Sequence, residues 1–315
     1  MTRIFFSVDV HGNTALWRKW ISAMEIYKAD VLMFCGDLTG KLMVPIVRGS
    51  DGLCSVSYRG LKRRFSEEDI EKVSRELEER GVYTITLSPE EVEALKSNYE
   101  AMLRAMNERI VERMRGWLNL LTSRIDTRKV QVIVMPGNDD IFEVDEVIKE
   151  YEDEGVVYPL NKVVDVGGVE MISLDYVNPT PWSTPREADE GRIRGSVEKL
   201  VGKLEDPSKS IFNFHSPPYG TKLDLAPELD KNLRPVVVGG GVRYKHVGSK
   251  SILEAIRRYK PLIGLHGHIH ESGGVDYVDK VPVLNPGSEY ESAILKAYIV
   301  EIDKKCVKNF WRVEG

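Results

Sequence analysis

Five times along this chain a short apolar, β-prone run stops at a polar residue able to bind a metal. Residues 4–8 stop at Asp9-Val10-His11-Gly12, 31–35 at Gly36-Asp37, 130–135 at Pro136-Gly137-Asn138, 210–214 at His215, and 262–265 at His266-Gly267-His268-Ile269-His270. Runs of this length, rich in Val, Ile and Phe, read as buried parallel strands. In open α/β sheets, ligands sit beyond the carboxyl ends of such strands. The pattern therefore predicts an α/β fold whose strand tips serve one site. Of the six histidines, five lie at these exits and only His246 lies elsewhere. A lone histidine is ordinarily a core or surface residue, so the weight rests on the coincidence of the five segments.

The 315 residues suffice for one large domain or two smaller ones, and 42% hydrophobic residues are ample for a core. A net charge of −5 leaves no general footprint for nucleic acid. Cys35, Cys54 and Cys306 form no Cys-x-x-Cys, which argues against a disulfide framework and makes a reducing cytoplasm the expected location. No signal peptide is visible in the opening residues, and no apolar run reaches the ~18 residues needed to span a bilayer. Many Glu, Lys and Arg against a single glutamine, Gln131, lean toward a thermophilic source.

Between the strands, residues 15–27 read as a helix, 44–47 and 53–58 as a hairpin, and 66–69 as the start of a helix ending at Gly81. Ser88-Pro89-Glu90-Glu91 is a strong helix start, and the spacing predicts one helix from there to about Arg124. Its stripe of Leu95, Tyr99, Met102, Met106, Ile110, Met114, Trp117 and Leu121 predicts packing against the main domain or a second subunit. Residues 44–126 are thus expected to form an inserted α+β subdomain, either a cap or an oligomer contact, with a homodimer through the insert as one outcome. Residues 219–248 read as mostly loop, and loops of that length are usually functional or mobile.

Carboxylates, imidazoles and an amide oxygen suit Mn, Fe, Zn or Ni better than Mg or Ca. Two such ions about 3.5–4 Å apart can clamp the attacking and leaving oxygens of a phosphoryl displacement. Asp9-Val-His11, Gly36-Asp37, Gly137-Asn138, His215 and Gly267-His268-Ile-His270 together resemble the calcineurin-like metallophosphoesterase superfamily. His215-Ser-Pro-Pro, Gly248-Ser249 and Asn285-Pro-Gly-Ser288 are similar to its archaeal and bacterial Icc-related branch. The resemblance covers nearly the whole chain, 1–315, apart from the insert. It implies a four-layer αββα sandwich, two mixed sheets flanked by helices. It implies that Asp9, His11 and His270 bind one divalent ion, that Asn138, His215 and His268 bind another, and that Asp37 bridges them. Manganese is the first expectation for the pair, with iron, zinc or nickel as alternatives.

One position departs from the family pattern. After Gly-Asn the family usually has a histidine taken to contact the phosphate and help protonate the leaving group; here stands Asp139, followed by Asp140. An ordinary aspartate, with a pKa near ~3.9, is a poor proton donor at neutral pH and would repel phosphate. Asp139 kept protonated, His246 reaching in from the long loop, or a substrate with good leaving groups would each answer this. Asp140 is expected to orient a ligand. The catalytic candidates are accordingly Asp37, Asp139 and His246, and the substrate contacts Asn138, His246 and Arg243. Lys222, Arg234 and Lys245 are further loop cations that could reach a phosphate, and the Gly248-Ser249 amides could also meet one. Arg59, Lys62, Arg63 and Arg64 read as a surface run. The reaction expected is hydrolysis of a small phosphate mono- or diester by in-line attack of a hydroxide bridging the ions. A manganese-dependent nuclease and a catalytically impaired metal-binding module are the rivals.

Overall fold

Thr2–Ser7 lies between Val31–Cys35, its parallel neighbour, and Lys296–Ile302, its antiparallel one. A computed structural model, describing residues 1–315, extends this nucleus into a six-stranded mixed sheet. Its order is Val307–Glu314, Lys296–Ile302, Thr2–Ser7, Val31–Cys35, Gln131–Met135, Val156–Val157. A second six-stranded sheet runs Gly274–Val278, Val281–Asn285, Ile263–Leu265, Ile211–Phe214, Val169–Leu174, Val163–Val166. Its four central strands are parallel and its two edges antiparallel.

Side-chain alternation shows how the sheets stack. Val169, Met171, Ile211, Ile263, Leu265 and Leu284 enter the main core, which also holds the first sheet. Their strand neighbours Ile172, Leu174, Phe212, Phe214 and Val283 point the other way, onto the helices Glu190–Val201 and Lys250–Tyr259. Because the period along a strand is two, one set of residues joins sheet to sheet and the other joins sheet to helix. Thr14–Tyr27, Tyr99–Arg124 and Glu143–Lys149 cover the outside of the first sheet through Leu16, Trp17, Trp20, Trp117, Leu121 and Val144. The four-layer αββα sandwich implied by the resemblance is the architecture observed.

Several local expectations need correction. The long helix breaks at Asn98, whose extended backbone (φ −126°, ψ 95°) ends Pro89–Ser97. The Asn98 side chain then caps Tyr99–Arg124 by accepting from Ala101 N. The basic run of the insert is a strand, Leu61–Ser66; only Phe65 is apolar and buried, so its alternation was too weak to read. Glu143–Lys149 was missed because it is barely two turns long. The long loop contains the short pairs Leu225–Pro227 with Tyr244–His246 and Val237–Val238 with Gly241–Val242. No helix is long and apolar enough to cross a membrane.

Residues 42–87 build a four-stranded sheet with the helix Ile70–Glu78 against it, around a separate core of Val44, Ile46, Cys54, Val56, Phe65, Val73, Leu77 and Val82. Arg113, from the long helix, pins this unit to the first strand-exit loop. Its guanidinium donates to Gly12 O at 2.9 Å and Val82 O at 2.8 Å, and stacks 3.9 Å from the Tyr83 ring. The backbones meet so closely that a Cβ on Gly40 would stand 2.5 Å from Gly81 O and 2.9 Å from His11 O.

The second half of Tyr99–Arg124 belongs to the main core. Trp117 stacks on Trp17 at 4.8 Å and donates its indole N–H to Thr14 Oγ1 at 3.0 Å. Trp117→Ala is therefore expected to lose about 3–5 kcal/mol of stability. Met102→Ala, at an exposed position of the same stripe, is expected to stay within about 0.5 kcal/mol. Denaturant midpoints of the two variants check the pair; equal shifts would refute this division of the helix.

Candidate metal centre

At the ends of the parallel strands the loops continue the ladder. Asp9 N donates to Gly36 O at 3.0 Å, His11 N to Asp37 O at 3.0 Å, Gly36 N to Met135 O at 2.8 Å, and Gly267 N to His215 O at 3.0 Å. The two sheets are tied at this edge by His268 N, which donates to Asp9 Oδ2 at 3.1 Å. Each tip turns abruptly to aim its side chain at the same point. Asp9, His11, Asp37 and His268 all have positive φ, at 56°, 43°, 45° and 67°. Non-glycine residues rarely adopt this conformation, and where they do the strain is held by surrounding structure, commonly at functional sites.

The aimed atoms converge as two sets. Ligand atoms of Asp9, His11, Asp37 and His270 lie within 4.8 Å of one another, and so do those of Asp37, His215 and His268. Asp37 belongs to both. His11 Nε2 is 2.9 Å from His270 Nε2 and 3.8 Å from Asp37 Oδ2. On the other side, His215 Nε2 is 3.3 Å from Asp37 Oδ1 and 3.7 Å from Asp9 Oδ1. Neither nitrogen of the buried His215 ring has a hydrogen-bond partner, and Asn138 Oδ1 has none either. Asn138 Nδ2 donates to Asp139 Oδ1 and Thr184 Oγ1, which leaves that oxygen as the unengaged end of the amide. Buried polar atoms without partners are costly. Convergent nitrogen and oxygen donors left bare in this way fit a pair of divalent cations sharing Asp37.

The electrostatics point the same way. Burial, aggravated by Asp37, pushes the Asp9 carboxyl well above its ordinary range against the pull of His215. Burial opposes ionisation of Asp37 too, but the His215 charge holds it well below that range. Burial drives His11 well down and His268 down to about 3. It would lower His215 as well, yet Asp37 carries that ring up to about 9. Cations held by the cluster would favour ionised carboxylates and neutral imidazoles together.

Asp140 joins two of the strand-exit loops. Its carboxylate accepts from Leu38 N, Thr39 N, Thr39 Oγ1 and Gly137 N at 2.6–2.9 Å, locking the Asp37 loop to the Asn138 loop. Only glycine fits at position 137, since a Cβ on Gly137 would stand 2.2 Å from Asp37 N and 2.8 Å from His215 Nε2. Sequence reasoning missed Arg186. Arg186 is buried, pairs with Asp145 and Asp175, and donates to the Asp140 and Ile141 carbonyls, while its own backbone N–H reaches Asn138 O. His266 is no ligand candidate; its Nδ1 lies 2.8 Å from Phe214 O and 3.0 Å from Ser216 O, bracketing His215.

A cleft of about 1020 Å³ opens over the cluster. Lys41, Tyr58, Arg59 and Arg80 line it from the side of the insert, and Leu229, Lys231, Lys245 and His246 from the long loop. His246 is therefore at the cleft, its Nδ1 2.7 Å from Oδ1 of the wholly buried Asp224. Arg243 is not brought there; it is exposed and bound to Glu228. Arg59, read as surface, lines the cleft and pairs with Glu291 at 2.7 Å. The helix start after Gly248-Ser249 offers phosphate nothing, because the Glu190 carboxylate takes the Lys250 and Ser251 amides and Asp224 takes the Gly248 amide. Asp139 faces the cluster. Burial and then the Asp37 charge push its carboxyl up to about 7, against the pull of Lys41.

No protein-family profile matches the chain, and no curated protein matches its sequence. Solved structures do. One aligns at TM-score 0.57 and 13% identity over 99% of this chain and 98% of its own. TT1561 of Thermus thermophilus aligns at 0.55 and 12% over the same shares. A third, described as a novel archaeal phosphodiesterase, aligns at 0.42 and 12%, covering 99% of each chain. At 12–13% identity the likeness to the first two is one of fold.

Asp140→Asn leaves the fold in place but cannot accept all four bonds. It is expected to weaken manganese binding by about 10–100-fold, read by calorimetry with circular dichroism as the control. Unchanged affinity would show that this carboxylate does not set the Asp37 loop.

Proposed function

We propose that the chain is a dinuclear metal-dependent phosphoester hydrolase. The observation that carries this reading is the sharing of Asp37 between two buried donor sets at the floor of a wide cleft. Asp9, His11 and His270 would hold one cation with Asp37, and Asn138, His215 and His268 the other. Bound there, the pair would supply Lewis-acid polarisation of phosphoryl oxygens and water of lowered pKa.

The chain's own groups supply the rest. Their pre-set loops hold the donors without reorganisation during the reaction. His246 is the proton donor we assign to the leaving group. Its Nδ1 is engaged by Asp224, which also accepts from Gly220 N and Gly248 N at 3.0 Å, so Nε2 is the atom left for substrate. Val247 O accepts from Asn178 Nδ2, and Asn178 in turn accepts from Ser216 Oγ beside His215, which ties the His246 loop to the metal edge. The insert forms one wall of the cleft and acts as a cap. The volume admits an ester with a sizeable organic group.

Asp37→Ala is expected to abolish manganese-dependent hydrolysis of p-nitrophenyl phosphate and bis(p-nitrophenyl) phosphate, as is chelation of the wild type. Turnover surviving either treatment would remove this site from the reaction. His246→Gln should cost about 10²–10⁴ in kcat on phenyl phosphate, where the leaving group needs a proton, and far less on the nitrophenyl ester. Equal losses on both esters would take His246 out of the proton-donor role.

A further inference from the structure

We propose that Lys41, clamped by Asp139, is the cation that grips a non-bridging oxygen of the phosphoryl group in this site. The proposal rests on the hydrolase reading and names a residue that nothing in the sequence pattern pointed to.

Lys41 Nζ lies 2.5 Å from Asp139 Oδ2. The two partners differ sharply in exposure: the Asp139 side chain is 6% exposed and that of Lys41 56%. The carboxylate thus lies inside, while the ammonium looks into the cleft that Lys41 lines together with His11, Asp37, Asn138 and His268. Asp139 touches both halves of the cluster. Its Oδ2 is 3.7 Å from His11 Nδ1, its Oδ1 accepts from Asn138 Nδ2, and its backbone N–H donates to Asp37 Oδ1 at 2.9 Å. Lys41 is one ion pair further out from the donors, in the same cleft.

The backbone under Lys41 is fixed. Asp140 holds Leu38 and Thr39, and Gly40 N donates to Tyr83 Oη at 3.2 Å. No other ion pair engages the ammonium, so N–H groups remain for a ligand. Of the other cleft cations, Arg59 is committed to Glu291, Lys231 and Lys245 come from the long loop, and Arg80, though on the wall of Lys41, makes no ion pair with a residue of the cluster.

The pair also resolves the departure at position 139. An unpaired aspartate beside the reacting phosphate would repel it. With an ammonium at contact distance the two together are neutral, and the cationic end faces the substrate. In a partly desolvated cleft such a charge acts on phosphate far more strongly than in water.

The test uses the full manganese-loaded chain as wild type, Lys41→Met, Lys41→Arg and Asp139→Asn. Binding of inorganic phosphate is read by calorimetry, and kcat/KM is read on p-nitrophenyl and phenyl phosphate. Lys41→Met should weaken phosphate by at least about tenfold. It should lower kcat/KM by about 10²-fold, equally on both esters, with two manganese ions still bound. Lys41→Arg should recover most of both quantities, and Asp139→Asn should show a smaller loss of phosphate affinity. Phosphate affinity of Lys41→Met within threefold of wild type overturns the proposal. So does a loss confined to phenyl phosphate, or a loss of manganese in that variant. Because phosphate binding needs no turnover, a wild type that binds phosphate through Lys41 without hydrolysing any ester would sink the hydrolase reading and leave the phosphate grip standing.

Discussion

The constraint on which this molecule turns is the removal from water of carboxylates and imidazoles at the seam between two sheets. Asp9, Asp37, His11 and His215 are all nearly inaccessible, and burial is the largest influence on the ionisation of each. Taking isolated charges out of water is prohibitively costly unless they are paired or bound to a counter-charge. Part of the folding energy goes into holding these groups together, in left-handed backbone conformations that the side chains themselves disfavour.

That strain is offset by everything packed around the seam. Asp140 carries four hydrogen bonds that unite the second and third strand exits. Arg186 joins the third exit to the helix Glu143–Lys149 through Asp145, and to the second sheet through Asp175 at the end of Val169–Leu174. Ser288 donates to Asp9 O at 2.7 Å from the far edge of the second sheet. These residues contact no candidate substrate position; they fix where the donors point.

The additions to the sandwich make the seam into a cleft. Residues 42–87 leave the chain just after the Asp37 loop and come back beside the His11 loop, where Gly81 meets Gly40 and His11. Arg113 and the packed glycines 12, 40 and 81 make that junction rigid. The wall that carries Lys41 is therefore positioned by the metal loops themselves. The long loop brings the opposite wall, with Asp224 and His246, and the Asn178 side chain ties it to the His215 exit by bridging Val247 O and Ser216 Oγ.

The sequence by itself determined the strands and their tips. Apolar runs with polar stops are a local signal, and Asp9, His11, Asp37, Asn138, His215, His268 and His270 could be read from them because each lies within a few positions of the end of its own strand. A local capping signal likewise gave the helix start at Ser88, and six of these donors converge beyond the strand ends. What was illegible depends on contacts between distant segments. Nothing near Lys41 in sequence says that it meets Asp139, 98 positions on. Nothing near Arg186 says that it is buried, and nothing near Arg243 says that Glu228 claims it before the cleft can. Periodicity and capping act over one or two turns of chain, whereas an ion pair's partner is chosen by the packing of whole layers. The tertiary structure alone decided those partners.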